Sequence, residues 1–419
     1  MLERTLKPVI KRVSKTFPVL LLTGQRQIGK SVLLGMLQEK KRRYVTLDNL
    51  RDRELAKTDP QRFIQENPPP VIIDEVQYAP ELFTYIKIWV DEHKFRYLNG
   101  NQSANPYGAF WLTGSQKFSL MQGIQESLAG RVAILEMLGL SYKEITGRPF
   151  KNKPFLPSLD LAHKETPGQM LTSPQIFERV WRGSFPELIV TPGIDRQKFY
   201  ASYIQTYIQR DVKDFYNINN EIAFYNFLTA VAARTGELLN YDNLAVTARI
   251  DKRTAKLWLE ILVRSGVVYL LQPYWGNINK RIVKTPKVFF MDTGLAAYLT
   301  GWHTPASLRL GAQSGHLLET YVFGEIMKSY LHNTGLEPRI YFYRDSNKKE
   351  IDFILEQNMT LYPIGVKQTS LPETRDAANF KTLSKLKNIK VGTGAVICLC
   401  RGIAALPKQN VVCVPVGAL

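Results

Sequence analysis

The apolar positions in the first third of the chain form short continuous runs, and the segments between the runs have helical spacing. Residues 82–95 are one such segment, with an apolar face of Leu82, Ile86, Trp89 and Val90. The runs are VLLL at 19–22, YVTL at 44–47, VII at 71–73, AFWLT at 109–113 and VAILEM at 132–137. Buried parallel strands read as unbroken apolar runs joined by helices, so residues 1–148 are predicted to form a parallel α/β domain.

Two more helices are predicted in this first part from apolar residues at helical spacing. The first helix lies before the first run, and its apolar positions are Leu2, Leu6, Ile10 and Val13. The second helix follows residue 31, and its predicted apolar face consists of Val32, Leu33, Met36 and Leu37. The apolar run at 19–22 is therefore predicted to have a helix on either side.

The middle of the chain changes in composition. Residues 149–174 contain five prolines and few apolar residues, which predicts a linker. Residues 175–218 regain helical patterning, including a long helix over 196–216, and are predicted to form a helical, lid-like segment. Three helical segments and two strands follow within residues 219–300. This order predicts a winged helix-turn-helix, with Asp251 capping its third helix.

Residues 301–419 begin with a long helix, GHLLETYVFGEIMKSYL, and continue with the strands IYFYRD, EIDFILEQN, LYPIGVKQ, AVICLC and VVCVPV. This pattern predicts a C-terminal α/β domain without a P-loop. The three cysteines, Cys398, Cys400 and Cys413, fall in its apolar strands, as is typical of reduced core cysteines in a cytoplasmic protein.

Composition adds a partner class. The 419 residues carry 55 Lys and Arg against 37 Asp and Glu, a net charge of +18. Such an excess favours an anionic partner, with DNA as the first candidate, although a basic surface that only aids solubility gives the same count. No apolar run approaches the ~18 residues that a membrane span needs, so no membrane partner is expected.

The candidate chemistry starts at the end of the first apolar run. GQRQIGKS at 24–31 fits G-x-x-x-x-G-K-[ST], with a strand before it and a helix after it, as a P-loop requires. We expect Lys30 to reach the β and γ phosphates of ATP and Ser31 to bind Mg²⁺. The predicted nucleotide-binding residues are Gly24, Gln25, Arg26, Gln27, Ile28, Gly29, Lys30, Ser31 and Val32.

Two acids follow the run at 71–73. Asp74 is predicted to hold Mg²⁺ through water, and Glu75 is predicted to polarise the attacking water. Ser115 ends the next strand, where it either contacts the γ phosphate or caps the strand. Arg131 precedes the last strand, as a surface salt-bridge partner or as an arginine finger for a neighbouring subunit.

Basic residues decorate the predicted winged helix. Lys252, Arg253 and Lys256 lie on the exposed part of its third helix, and Lys280, Arg281, Lys284 and Lys287 lie on its wing. Such placement suits contacts with DNA phosphates. A solvated helix face, or a winged helix used only for packing, would carry the same residues.

The C-terminal domain holds a possible metal site. Glu319 lies on its long helix, Asp352 lies on one strand, and Lys367 ends the next. A carboxylate and a lysine on neighbouring strands could place a metal beside an activated water. The usual second acid would stand at Gly365, so a metal would rest on Asp352, Glu319 and the Val366 carbonyl. A buried acid and lysine held by hydrogen bonds is the alternative.

These motifs resemble a prokaryotic family of AAA+ ATPases with a C-terminal domain of unknown function. The resemblance rests on GQRQIGKS, VIIDEVQ, LTGS and SLAGRV, and also on GSFPE at Gly183, YIQRD at Tyr207 and MDTGL at Met291. It implies that Arg131 is a finger and that the chain forms a homo-oligomer. Residues 301–419 resemble restriction-endonuclease-like folds, with Gly365 as the departure from the motif.

The sequence thus predicts a cytoplasmic ATPase that uses ATP and Mg²⁺ and couples turnover to a nucleic-acid or protein partner. Catalysis is assigned to Lys30, Glu75 and Arg131, and metal binding to Ser31 and Asp74. A metal-dependent DNA nuclease regulated by its ATPase is one alternative. A DNA-binding switch that binds ATP without hydrolysing it is the other.

Overall fold

The computed structural model describes residues 2–114, 127–148, 153–163, 171–208, 220–274, 285–345, 347–386, 389–407 and 409–419. The first part is an α/β domain around five parallel strands, as predicted. These strands are β1 Val19–Thr23, β2 Arg43–Thr46, β3 Val71–Asp74, β4 Phe110–Gly114 and β5 Val132–Glu136, in the sheet order β2-β3-β4-β1-β5. The strand before the P-loop and the strand before Asp74 are therefore separated by β4, and all their carboxyl ends lie at one edge.

Helices cover both faces of this sheet. They are α1 Lys7–Val13, α2 Lys30–Leu37, α3 Leu50–Thr58, α4 Pro60–Glu66, α5 Leu82–Leu98 and α6 Tyr142–Ile145. Helix α2 packs on the sheet through Leu33, Leu34 and Leu37, whereas Val32 and Met36 are exposed. The prediction that Val32 and Met36 belong to the packed face of α2 was wrong, because the helix packs on the sheet through the neighbouring stripe of leucines.

The middle of the chain is helical and ends in a small sheet. Its helices are α7 Ser173–Arg182, α8 Pro186–Val190, α9 Arg196–Thr206, α10 Glu221–Ala232, α11 Tyr241–Ala248 and α12 Lys252–Arg264. Strands β6 Val268–Leu271 and β7 Lys287–Phe290 pair antiparallel. Asp251 caps α12 by accepting from the Thr254 N–H at 2.9 Å, as the sequence indicated.

The C-terminal part packs helices α13 Thr293–Leu299, α14 Pro305–Leu310 and α15 Ser314–Thr334 beside a second, mixed sheet. That sheet has the order β13-β14-β12-β10-β9-β8, with β11 on β10. Its strands are β8 Ile340–Arg344, β9 Glu350–Gln357, β10 Thr360–Lys367, β11 Lys390–Val391, β12 Gly394–Cys398, β13 Ala404–Ala405 and β14 Val411–Pro415. The three cysteines are buried and free, as predicted.

Helix α15 packs against the first domain and forms hydrogen bonds with the backbone that follows β5. The Lys328 ammonium donates to the Leu140 carbonyl at 3.1 Å, and the Leu138 N–H donates to His332 Nε2 at 3.1 Å. The Phe155 N–H donates to Ser329 Oγ at 3.1 Å, and Phe155 is buried. One apolar core accordingly runs from the first sheet through α7 and α13 to the second sheet.

The region predicted as a linker thus contributes to packing over 153–163. Its last two residues begin α7, so the linker was predicted too long at that end, and residues 149–152 and 164–170 lie outside the described residues. Among the helices that the structure describes, none has both the length and the apolar character needed to cross a membrane.

Candidate nucleotide site

The P-loop occupies the turn between β1 and α2, and its shape requires glycine at both ends. Gly24 has φ +143°, and a Cβ there would lie 2.1 Å from the Met137 carbonyl oxygen. Gly29 has φ +87° and precedes the first residue of α2. Side chains at these φ values are strained, so the two glycines allow the backbone to curve over the end of β1.

Lys30 is buried at the centre of this loop. Its ammonium donates to the carbonyl oxygens of Gly24 at 3.0 Å and Gln25 at 2.7 Å. The Gln25 side chain in turn donates to the carbonyl of Gly266, in the turn between α12 and β6. The loop is thereby in direct contact with the helical segment that precedes the small β6–β7 sheet.

Asp74 ends β3 and accepts hydrogen bonds from three side chains. Ser31 Oγ donates to its Oδ1 at 2.8 Å, Thr113 Oγ1 also donates to Oδ1, and the Tyr44 hydroxyl donates to Oδ2 at 2.6 Å. Burial and the neighbouring Asp74 raise the pKa of Tyr44 above its usual value, so its hydroxyl remains a donor. The structure brings the two predicted metal residues, Ser31 and Asp74, into contact.

Tyr44 and Thr113 are site residues that the sequence analysis missed. Thr113 was visible as part of LTGS, but only its position at the end of β4 places it between the two acids. Tyr44 lies on β2 opposite Ile72 of β3, which puts its side chain next to the end of that strand. A tyrosine in an apolar strand does not by itself indicate a contact with the end of a neighbouring strand.

Glu75 leaves the sheet in a left-handed conformation, with φ +56°. Its N–H donates to Thr113 Oγ1 at 3.3 Å, and its Oε2 accepts from Gln77 Nε2 at 2.5 Å. The Gln of VIIDEVQ therefore orients the carboxylate that was predicted to polarise water. Ser115, the predicted γ-phosphate contact, lies outside the described residues.

The donor set at Ser31 and Asp74 fits Mg²⁺. A hydroxyl and a carboxylate 2.8 Å apart are oxygen ligands of the kind that this ion prefers, and it usually keeps several waters beside them. When bound, Mg²⁺ would neutralise charge on the phosphate oxygens.

A cavity of about 1050 Å³ opens beside the P-loop. Its walls come from residues before α1, from the loop and α2, and from α8 and α9; they include Arg4, Ile28, Val32, Met36, Pro186 and Phe199. The exposed side chains of Val32 and Met36 thus line this mostly apolar cavity. Its size is that of a small-molecule site.

Arg4 fixes one wall of the cavity through a buried polar network. Its guanidinium donates to the Leu138 carbonyl at 2.7 Å and lies 3.3 Å from Glu144 Oε1. Although burial alone would raise the pKa of Glu144, the charges of Arg4 and His332 lower it below its usual range. Glu144 therefore remains ionised and ties the N-terminal segment to α15.

Two motifs from the middle of the chain meet at another wall. Asp292 accepts from the Ser184 N–H at 2.7 Å and from the Tyr200 hydroxyl at 2.9 Å. A Cβ at Gly183 would lie 2.6 Å from Asp292 Oδ1, so glycine is needed there. GSFPE and MDTGL are thus a structural clamp that positions Pro186, a residue of the cavity wall.

Arg131 lies far from this P-loop. It precedes β5, whose Val132 is level with Val19 at the start of β1, whereas the P-loop follows the end of β1. Five residues of strand separate the two sites by about 17 Å. Arg131 instead binds Asp91 of α5 through Nε at 2.6 Å and Nη2 at 2.9 Å.

The residues predicted to contact DNA lie partly on the surface. Lys252, Arg253 and Lys256 are exposed on the first turns of α12, where Lys252 pairs with Asp242 at 2.9 Å. Lys287, predicted on the exposed wing, is instead 3% exposed and paired with acids, so that prediction was wrong. Lys280, Arg281 and Lys284 lie outside the described residues.

The possible nuclease residues come together without forming a metal site. Asp352 Oδ2 accepts from the Val366 N–H at 2.7 Å, and Glu319 Oε1 lies 2.9 Å from the Lys287 ammonium. A Cβ at Gly365 would lie 3.6 Å from the Phe380 ring, so a carboxylate there would meet an aromatic side chain. Within the described ranges, no three His, Cys, Asp or Glu residues are arranged to hold a metal ion.

Comparison with known sequences agrees with the P-loop geometry. Residues 16–146 match the family described as AAA domain. Residues 173–306 match a domain of unknown function, DUF8612, and residues 314–419 match a second one, DUF4143. The chain therefore contains an AAA-type P-loop domain followed by a C-terminal DUF4143 domain, which confirms the predicted resemblance to such ATPases.

The individual proteins that resemble this chain share low sequence identity with it. The chain is 26% identical over 366 residues to uncharacterized proteins of Mycobacterium bovis and Mycobacterium tuberculosis, covering 87% of this chain and 73% of each relative. A Walker-type ATPase of Pyrococcus abyssi aligns with a TM-score of 0.40 at 16% identity, over 70% of this chain and 94% of that one. The ORC2 protein of Aeropyrum pernix, solved as ADPNP–ADP complexes, aligns with a TM-score of 0.34 at 13% identity, over 63% and 85%.

Proposed function

We propose that this chain binds ATP with Mg²⁺ at the P-loop and hydrolyses it by in-line attack of water. The observation that carries the proposal is the contact between Ser31 and Asp74, which joins the P-loop to the acid that ends β3. Lys30 lies within the same loop, ready to neutralise phosphate charge, and Glu75 follows Asp74. Phosphoryl transfer requires these roles close together.

The apolar cavity beside the loop is the proposed nucleoside site. It adjoins Ile28 and Gly29 of the P-loop, so a nucleotide with its phosphates on the loop would place its base among apolar side chains. Arg4 and the clamp around Asp292 hold the cavity walls. The same contacts connect the nucleotide site to α15 and to the end of β7.

ATP binding tests the first part of the proposal. Lys30→Ala should abolish ATP binding in a calorimetric titration, because it removes the buried ammonium of the loop. Lys40→Ala, a change at an exposed lysine just after α2, is the control and should bind as the wild type does. Equal affinity of Lys30→Ala and wild type would rule out the P-loop as the ATP site.

We further propose that Arg131 acts on the ATP of a neighbouring subunit in a homo-oligomer. Arg131 lies about 17 Å along β5 from its own P-loop, which is too far to reach a nucleotide bound there. It lies next to the outer face of α5, where Ile88, Phe95 and Leu98 are between 55% and 71% exposed. Apolar residues on one helix face suit a subunit contact.

DNA is the proposed partner of α12. Arg253 and Lys256 are exposed on one end of that helix, and the chain has a net charge of +18. Binding of a duplex should weaken steeply with salt, and the double change Arg253→Ala with Lys256→Ala should lower that salt slope by about 2. The matched control is the double change of exposed Lys40 and Lys57 to Ala. Equal slopes for both double variants would exclude α12 as the contact.

ATPase assays with and without DNA distinguish an ATPase that is coupled to DNA from a switch that binds ATP without hydrolysing it. Stimulated phosphate release supports an ATPase coupled to DNA. DNA binding that responds to ATP with negligible phosphate release would instead support the non-hydrolysing switch.

A further inference from the structure

Lys287 places its ammonium among the acids of the C-terminal domain. The acidic cluster consists of Glu319 on α15 and of Glu350 and Asp352 on β9. The Lys287 Nζ atom lies 2.9 Å from Glu319 Oε1 and 2.5 Å from Glu350 Oε1. We infer that Lys287 is the resident cation of this cluster, and that it closes the place where the metal site predicted from Glu319 and Asp352 would hold its ion.

The burial of Lys287 and its neighbouring carboxylates explain why its ammonium stays in the cluster. Its side chain is 4% exposed, so an unpaired ammonium would be costly at this place. Two carboxylates surround it, and a third, Asp352, directs its Oδ2 to the Val366 N–H at 2.7 Å. A divalent ion would need the oxygens that these contacts already occupy.

The protonation of the cluster works in the same direction. Burial raises the pKa of Glu319 to about 8, although Lys287 opposes this shift. Burial alone would lower the pKa of Lys287, but Glu319 and Glu350 outweigh it and raise that pKa. The lysine therefore remains charged, and its ammonium lies between the Glu319 and Glu350 oxygens that a metal ion would need.

Lys287 comes from outside the C-terminal domain. It begins β7, before residues 314–419, and therefore joins the β6–β7 sheet to α15 and β9. The same short strand leads to Asp292, which clamps the Ser184 loop. The ion pairs of Lys287 thus tie the second sheet to the clamp beside the nucleotide cavity.

The test is thermal unfolding of the full chain without nucleotide, with and without Mn²⁺. Lys287→Met keeps the aliphatic stem but removes the charge, and Lys349→Met is the control at an exposed lysine. In wild type and Lys349→Met, Mn²⁺ should not raise the melting temperature by binding at the cluster. Any shift that Mn²⁺ causes in these two proteins should therefore persist when Asp352→Asn is introduced. Lys287→Met should melt several degrees lower and should gain a saturable stabilisation by Mn²⁺.

Two results would overturn the inference. One is a saturable Mn²⁺ shift in the wild type that disappears in Asp352→Asn. The other is a Lys287→Met variant that shows no shift with Mn²⁺. If Lys287→Met does not fold, the wild-type and Asp352→Asn measurements decide alone: a shift that depends on Asp352 contradicts the inference, and its absence supports it.

Discussion

The hydroxyl of Tyr44 donates a hydrogen bond of 2.6 Å to Asp74 Oδ2, on the carboxylate that also accepts from Ser31. This contact fixes the orientation of the Asp74 carboxylate at the end of β3. In the proposed arrangement, Tyr44 therefore positions the acid that would hold Mg²⁺ and does not itself touch the phosphates of ATP.

Tyr44→Phe tests this role because it removes only the hydroxyl. A hydrogen bond to a charged group contributes about 1.5 kcal/mol, so the Mg²⁺ concentration for half-maximal ATPase activity should rise about tenfold. Nucleotide binding in the absence of Mg²⁺ should be unchanged. Tyr85→Phe, on α5, is the control. An unaltered Mg²⁺ titration would show that Tyr44 does not position Asp74.

Val32→Trp tests the nucleoside cavity. Val32 is 56% exposed on the cavity wall, so a larger side chain should fill the cavity without disturbing the core. ATP affinity should fall at least about tenfold, which corresponds to about 1.4 kcal/mol, with the melting temperature unchanged. Val246→Trp, at a position 78% exposed on α11, should bind ATP normally. Undiminished affinity in Val32→Trp would place the base elsewhere.

Mixing two inactive variants tests whether Arg131 acts between subunits. Lys30→Ala lacks ATP binding, and Arg131→Ala lacks the proposed finger, so each should be inactive alone. A mixture should regain ATPase activity, because an intact P-loop in one subunit can meet an intact Arg131 from its neighbour. Arg96→Ala, at an exposed arginine of α5, is the control and should remain active. A mixture as inactive as its components would contradict action in trans.

The pKa of Glu319 predicts a pH dependence of stability. Its pKa is raised from 4.5 to about 8 in the folded chain, so the folded state binds this proton more tightly than the unfolded state does. The resulting stabilisation is complete below the unfolded pKa and is lost as the pH rises through about 8. Denaturant unfolding of wild type and Glu319→Gln at about pH 5 to 9 measures it.

The wild type should lose stability relative to Glu319→Gln as the pH rises through this range, because glutamine does not titrate. Glu81→Gln, at an exposed position, should follow the wild-type curve. Parallel curves for wild type and Glu319→Gln would mean that this carboxyl keeps an ordinary pKa.

Much of the nucleotide-binding domain could be predicted from the sequence because its signals are local. Buried strands appear as apolar runs, and the P-loop and Asp74 follow such runs directly. Tyr44 could not be predicted, since its contact depends on β2 lying beside β3. The cavity was also missed, because its walls come from four parts of the chain that are separated in the sequence.

Lys287 illustrates the same limit more strongly. In the sequence it belongs to a basic stretch, 280–287, which is typical of a solvated wing. Its burial depends on acids 32 and 63 residues away, at Glu319 and Glu350. Charge patterns along the chain do not reveal partners at such separations.

Glu75→Gln tests the central claim, that this P-loop hydrolyses ATP, most directly. The change keeps the size of the side chain but removes the carboxylate that is assigned to polarise water. In single-turnover reactions with Mg²⁺ and labelled ATP, the variant should bind ATP as tightly as wild type and release phosphate at least about 100-fold more slowly. Phosphate release by Glu75→Gln at the wild-type rate would contradict the account.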